Sequence, residues 1–229
     1  MIADFALWGW IGSIGMRTFF GMEILEEEFG GTMVMLEPGD RLKSVPRSHR
    51  KLITAEIEQW WADPVRAMRV VADSAIVPNM EQWFRRMADA GTWSLQLHQS
   101  FSGSMQAGYC WSCPDIRGAE VGPPPLKPVV NHLPRELAAY YRLVGFVDWN
   151  GFGASGGLCG LDDCIGIDPS PSRLFVFGWS PDGNMLVFHV EGQGGWYDQE
   201  NGGIRSMGSV ADAINWVYGE LLADRCPNC

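Results

Sequence analysis

A chain of 229 residues can bury roughly 70–75% of its unfolded surface, so neither a disulfide nor a metal is required merely for folding. Hydrophobic residues make up 46% and charged residues only 19%, which excludes a disordered, solvating chain. With 27 Asp+Glu against 17 Lys+Arg the formal charge is −10, a sign that repels phosphate backbones and anionic lipid, so the expected partner is a basic protein and not nucleic acid or a membrane.

The chain opens on the apolar stretch Phe5-Ala6-Leu7-Trp8-Gly9-Trp10-Ile11. Asp4 stands where a secretory signal carries Lys or Arg, and the run is too short for a bilayer core of about 30 Å, so it reads as core or edge structure. No other run approaches about 18 apolar residues, and the six cysteines accompany no export signal, so the expected compartment is the cytoplasm. A helix is expected over Met16–Phe29, carrying Glu26-Glu27-Glu28 and stopping at Gly30-Gly31. A short strand follows at Met33-Val34-Met35-Leu36, before the turn Pro38-Gly39.

Leu52, Ile53, Ile57, Trp60 and Trp61 recur at helical spacing, and Pro64 ends that helix or begins the next. Helices are expected again over Val65–Ser74 and over Met80–Ala90, where Met80, Trp83, Phe84 and Met87 form a stripe stopped by Gly91. The alternation in Trp93-Ser94-Leu95-Gln96-Leu97-His98-Gln99 predicts a half-buried strand. Three prolines at 123–125 forbid a helix and favour an extended connector. The expected organisation is therefore a mostly helical N-terminal block over 1–122, a proline-rich connector over 123–129 and a second domain over 130–229.

That second domain begins with a helix at Leu133-Pro134, amphipathic to about Gly145. After a glycine-rich loop, Leu174–Phe177 and Met185–Val190 predict a hairpin around Pro181-Asp182-Gly183-Asn184, continued by Gly195–Asp198 and Ile204–Met207. The closing helix over Ser209–Ala223 has Ser209 as N-cap, Asp212 as its third-position acid, and the stripe Val210, Ala213, Ile214, Val217 and Leu221. The class is α+β: an antiparallel sheet flanked by helices, with a mostly helical N-terminal extension.

From Leu126 to Ala223 this order resembles the SUKH superfamily, which contains yeast cell-wall-assembly regulators and many bacterial immunity proteins. The resemblance rests on Leu133-Pro134 with Tyr140-Tyr141-Arg142-Leu143, on the strand Met185–Val190, on Gly192, Gly195, Trp196, Tyr197, Asp198 and Glu200, and on the closing helix. Members commonly carry Asn-Gly-Gly after the first helix; here the equivalent is Asn150-Gly151-Phe152-Gly153, preceded by Trp149. The resemblance implies a cytoplasmic, non-catalytic protein that binds and neutralises a cognate toxin by protein–protein contact. It carries over no binding residues.

Candidate chemistry comes from two places. Cys110-Trp111-Ser112-Cys113 and Cys226-Pro227-Asn228-Cys229 are two Cys-x-x-Cys knuckles, able together to supply the four thiolates of a structural zinc, or else ordinary reduced cysteines. No other cofactor is expected. A thiol-exchange role for Cys110 and Cys113 would need the motif to open a helix after a strand. The four histidines fall in different elements, and no nucleophile elbow or phosphate loop is found.

The second place is the acidic surface. Beyond Pro125 acidic residues outnumber basic ones 12 to 6. Asp162, Asp163, Asp168, Asp182, Glu191, Asp198 and Glu200 fall in or beside predicted turns, near Trp149, Trp179 and Trp196. Aromatic anchors rimmed by carboxylates suit contact with a basic partner; the alternative is that the tryptophans are core and the acids solvated. The resulting expectation is an immunity (antitoxin) protein. A zinc- or thiol-dependent enzyme centred on the Cys-x-x-Cys motifs and a non-catalytic regulatory adaptor are the alternatives.

Overall fold

The computed structural model describes residues 15–19, 22–27, 31–100, 105–126, 133–148, 157–160, 165–166, 174–179, 184–189, 192–198 and 203–223. They form an α+β protein built on a 13-stranded antiparallel sheet. Its strands are β1 (Gly15–Phe19), β2 (Met22–Glu27), β3 (Gly31–Leu36), β4 (Thr92–Ser100), β5 (Met105–Cys113), β6 (Ile116–Gly122), β7 (Phe146–Asp148), β8 (Gly157–Leu158), β9 (Ile165–Gly166), β10 (Leu174–Trp179), β11 (Met185–His189), β12 (Gln193–Asp198) and β13 (Gly203–Ser209). Spatial order follows chain order, with one branch where β9 pairs with β10 alongside β8. Helices α1 (Ala55–Ala62), α2 (Pro64–Asp73) and α3 (Pro78–Ala90) lie between β3 and β4, α4 (Arg135–Tyr141) between β6 and β7, and α5 (Val210–Leu222) follows β13.

The helix expected over Met16–Phe29 is instead the hairpin of β1 and β2, in register from Gly15↔Glu26 to Phe19↔Met22. Strand β2 in turn pairs with β3, Glu23 opposite Met35 and Leu25 opposite Met33. A helix there would leave the outer edge of β3 with unpaired backbone groups, and this tertiary pairing overrides local propensity. The N-terminal part therefore holds six strands beside its three α-helices, more sheet than the mostly helical block expected.

Local chemistry sets the helix boundaries. Thr54 caps α1 by accepting from the Ile57 N–H, Asp63 caps α2 by accepting from the Arg66 N–H at 2.9 Å, and Pro64 and Pro78 occupy first turns. On α5 the Ser209 hydroxyl accepts from the Asp212 N–H while the Asp212 carboxylate accepts from the Ser209 N–H, a complete capping box. The carboxyl of Asp212 is held below its usual range chiefly by that backbone bond and then by the Ser209 hydroxyl. The predicted stripes of α3 and α5 are both buried.

These stripes meet: Tyr218 of α5 packs its ring against Trp83 and Phe84 of α3, at 5.9 and 5.7 Å between centroids. Asn79 locks the seam, its backbone N–H donating to Asn215 Oδ1 and its side-chain amide to the Asn215 carbonyl, at 3.0 and 2.9 Å. On the sheet, alternate residues Leu95 and Leu97, Tyr109 and Trp111, and Ala119 and Val121 join the same core, as period-two burial requires.

The proline-rich segment does not interrupt the sheet. Strand β6 before it pairs with β7 after it, Glu120 opposite Asp148 and Val121 opposite Val147. One core cluster runs from Val34 to Leu221 through residues on both sides of the connector. The junction onward to β8 depends on Gly157, whose φ of +137° and close approach to the Val147 carbonyl leave no room for a Cβ. No helix among the described residues is long and apolar enough to cross a membrane.

Candidate partner-binding surfaces

Asp63 both ends α1, its N–H donating to the Trp60 carbonyl, and caps α2. This shared residue turns the two helices about one corner, and Tyr109 of β5 pins α1 to the sheet by donating its hydroxyl to the Ile57 carbonyl at 2.8 Å. The corner encloses a groove of about 470 Å³ lined by Gln59, Trp60, Ala62 and Asp63 of the first helix and its cap, by Arg66, Ala67, Val70 and Val71 of α2, and by Pro124, Arg142 and Leu143. Trp60 and Val71 are buried in its floor, whereas Val70 on its rim is 55% exposed. Its volume lies within the range of small-molecule pockets, and its lining is mostly apolar with Gln59, Asp63, Arg66 and Arg142 as the polar groups.

The charges around the groove are unevenly satisfied. Arg69 pairs with Asp89, Arg85 with Asp73 and Glu81, and Arg86 with Asp115. Arg66 and Arg142, both exposed, form no ion pair with any described residue.

Sequence reasoning did not single out this groove. Its signal was Val70, which falls off the buried stripe of Pro64, Met68, Val71 and Ala72 yet is apolar.

Of the predicted partner-binding residues, Trp179, Trp196 and Asp198 are described; Trp149, Asp162, Asp163, Asp168, Asp182, Glu191 and Glu200 lie outside the described residues. Trp179 ends β10 half-buried, opposite Gly157 and Met185. Trp196 is half-buried and packs edge-on against Trp216 of α5 at 5.0 Å, so its ring belongs to the sheet–helix seam. Asp198, two residues on and half-buried, pairs with Gly203 at the start of β13. Strand β13 itself ends the sheet order, and Gly203, Ile204, Arg205 and Ser206 are exposed along it, with Ile204 at 46%.

Cys110 lies in β5 opposite Glu120 of β6, which lies opposite Asp148 of β7, so a thiol and two carboxyl-bearing residues stand in a row across three strands. Gly108 makes room for the Glu120 side chain, which occupies the space a Cβ would fill. Burial, and then the charges of Glu120 and Asp148, push the Cys110 thiol far up, so it is protonated at neutral pH and a poor nucleophile.

Cys113 sits beyond a bulge, opposite Ile116, and packs against the core. The turn Pro114-Asp115 leads into strand β6 and not into a helix, so the motif lacks the helix N-terminus that thiol exchange would require. Cys226 and Cys229 lie outside the described residues, and no metal-holding group of three His, Cys, Asp or Glu occurs among those described.

His49 is a satisfied core histidine: Nε2 bonds the Thr32 carbonyl at 3.0 Å and Nδ1 the Ser48 hydroxyl at 3.0 Å. Comparison with protein-family models, with curated proteins and with solved structures finds no match to this chain.

Proposed function

We propose that this chain is a cytoplasmic immunity protein that binds a cognate bacterial toxin and neutralises it by occlusion, without catalysis. The observation that carries the reading is β13, the last strand of the sheet among the described residues, where exposed Gly203 to Ser206 with Ile204 would offer a template for strand addition by a partner. The net charge of −10, and the 12-to-6 excess of acids beyond Pro125, favour a basic partner and fast encounter with it. The choice of a toxin as that partner rests on the resemblance of residues 126–223 to the SUKH superfamily. A thiol-exchange reaction at Cys110 is less favoured, because the motif runs through a strand and a turn without opening a helix, and burial, then the charges of Glu120 and Asp148, disfavours the thiolate.

The test is co-expression with the product of the adjacent open reading frame, expected on this reading to be a toxin. The full chain should restore growth, and Ile204→Asp, at an exposed position, should weaken protection without unfolding the protein. Absence of rescue by the wild-type chain defeats the reading. Full rescue by Ile204→Asp would remove β13 from the contact.

A further inference from the structure

We propose that the groove between α1, α2 and the segments at Pro124 and Arg142-Leu143 docks a short apolar peptide segment bearing carboxylates, supplied by a protein partner. The inference goes beyond the immunity reading and stands apart from it, since the groove is formed largely by the N-terminal helices and not by β13.

The floor and rim set the apolar requirement. Trp60 and Val71 are buried at the bottom, Ala67, Pro124 and Leu143 form the flanks, and Val70 is left more than half exposed at the edge. An inserted apolar side chain would cover Val70 and displace water from the floor at little cost in order, because the walls are already fixed. Tyr109 holds α1, and Asp63 fixes the angle between the helices.

Charge complementarity selects the rest of the occupant. The other arginines of α2 and α3 form ion pairs, and Arg66 and Arg142 form none with any described residue. The remaining acid of the lining, Asp63, has one carboxylate oxygen engaged by the Arg66 N–H as the cap of α2. On a chain of net −10, a lining that holds Arg66 and Arg142 against the single acid Asp63 makes the charge beside this groove locally positive among the described residues. Guanidinium favours planar, bidentate carboxylate partners. A segment of polypeptide lying across the groove brings an apolar side chain and carboxylates to it together.

The experiment is selection of a random-peptide phage library on the immobilised full-length protein, followed by calorimetry with the enriched synthetic peptide. The expected enrichment is for apolar residues flanked by Asp or Glu. Arg66→Glu and Arg142→Glu should each weaken binding by about fivefold or more, and Val70→Asp by about tenfold or more. A peptide with its acids replaced by Lys should not bind. All three positions are exposed or on the rim, and circular dichroism of each variant checks that the fold is retained; Arg66→Gln and Arg142→Gln serve if a reversal unfolds the chain.

No enrichment, enrichment of basic sequences, or binding indifferent to these variants would overturn the proposal. So would saturable binding of dodecanoate that is lost in Val70→Asp when no peptide binds, which would make the groove a site for small amphiphiles. Loss of toxin rescue with intact peptide binding would defeat only the immunity reading, and the converse only this one.

Discussion

Tyr109 joins the fold to the candidate groove, and its hydroxyl and ring can be removed separately. The hydroxyl is fully buried and donates to the Ile57 carbonyl at 2.8 Å; burial pushes its pKa far above the usual phenol, so it remains a donor across the working pH range. Tyr109→Phe removes that single bond while keeping the ring, at a cost of about 1 kcal/mol. Tyr109→Ala also removes a ring that packs against Trp60 and Trp93 at 5.8 and 6.0 Å, raising the cost to about 3–5 kcal/mol.

Urea unfolding followed by tryptophan fluorescence measures both, with melting shifts of about 2–4 °C per kcal/mol for a chain of this size. Hydrogen exchange should show the Phe variant loosening the amides of α1 first, since the lost bond holds that helix. The sign with pH also follows. A raised phenol pKa contributes stability that is present below the unfolded value of about 10 and is lost as pH rises through the folded one, so the Tyr-to-Phe difference should be flat through neutrality. Equal destabilisation by Phe and Ala, or none by Phe, would refute this division of labour.

Gly157→Ala should cost several kcal/mol, about 2–4, because it meets the Val147 carbonyl at a left-handed φ, and calorimetric melting should report it. Ser209→Ala should cost about 1 kcal/mol through loss of the α5 cap. The lowered carboxyls of Asp212 and Glu56 contribute stability present above their unfolded pKa and lost as pH falls through the depressed folded values, so the melting temperature should hold from neutrality and drop in acid. Cys110 should resist iodoacetamide at about pH 8 in the native protein and label only on unfolding, as read by peptide mass mapping.

The helices were legible because their signals are local. Met80, Trp83, Phe84 and Met87 recur at helical spacing, and Ser209 with Asp212 spells a capping box, so α3 and α5 fall where expected. Strands β4 and β10 to β13 were legible from alternation and turn residues. The expectation failed where pairing decides conformation. Residues 16–29 contain good helix formers, and pairing with β3 holds the described part, β1 and β2, as strands.

Strands β5 and β6 carried a readable alternation in Ala107, Tyr109 and Trp111 and in Ala119 and Val121, joined by the turn Pro114-Asp115, but Cys110 and Cys113 of β5 drew attention to metal chemistry. The groove was the least legible feature. It is assembled from α1, α2, Pro124 and Leu143, residues brought together only by the fold.

The most direct measurement is complex formation between the purified chain and the product of the adjacent open reading frame, followed by light scattering after gel filtration. A complex that forms at about 50 mM salt and weakens toward about 500 mM is the predicted result. Two separate species at low salt would contradict the account.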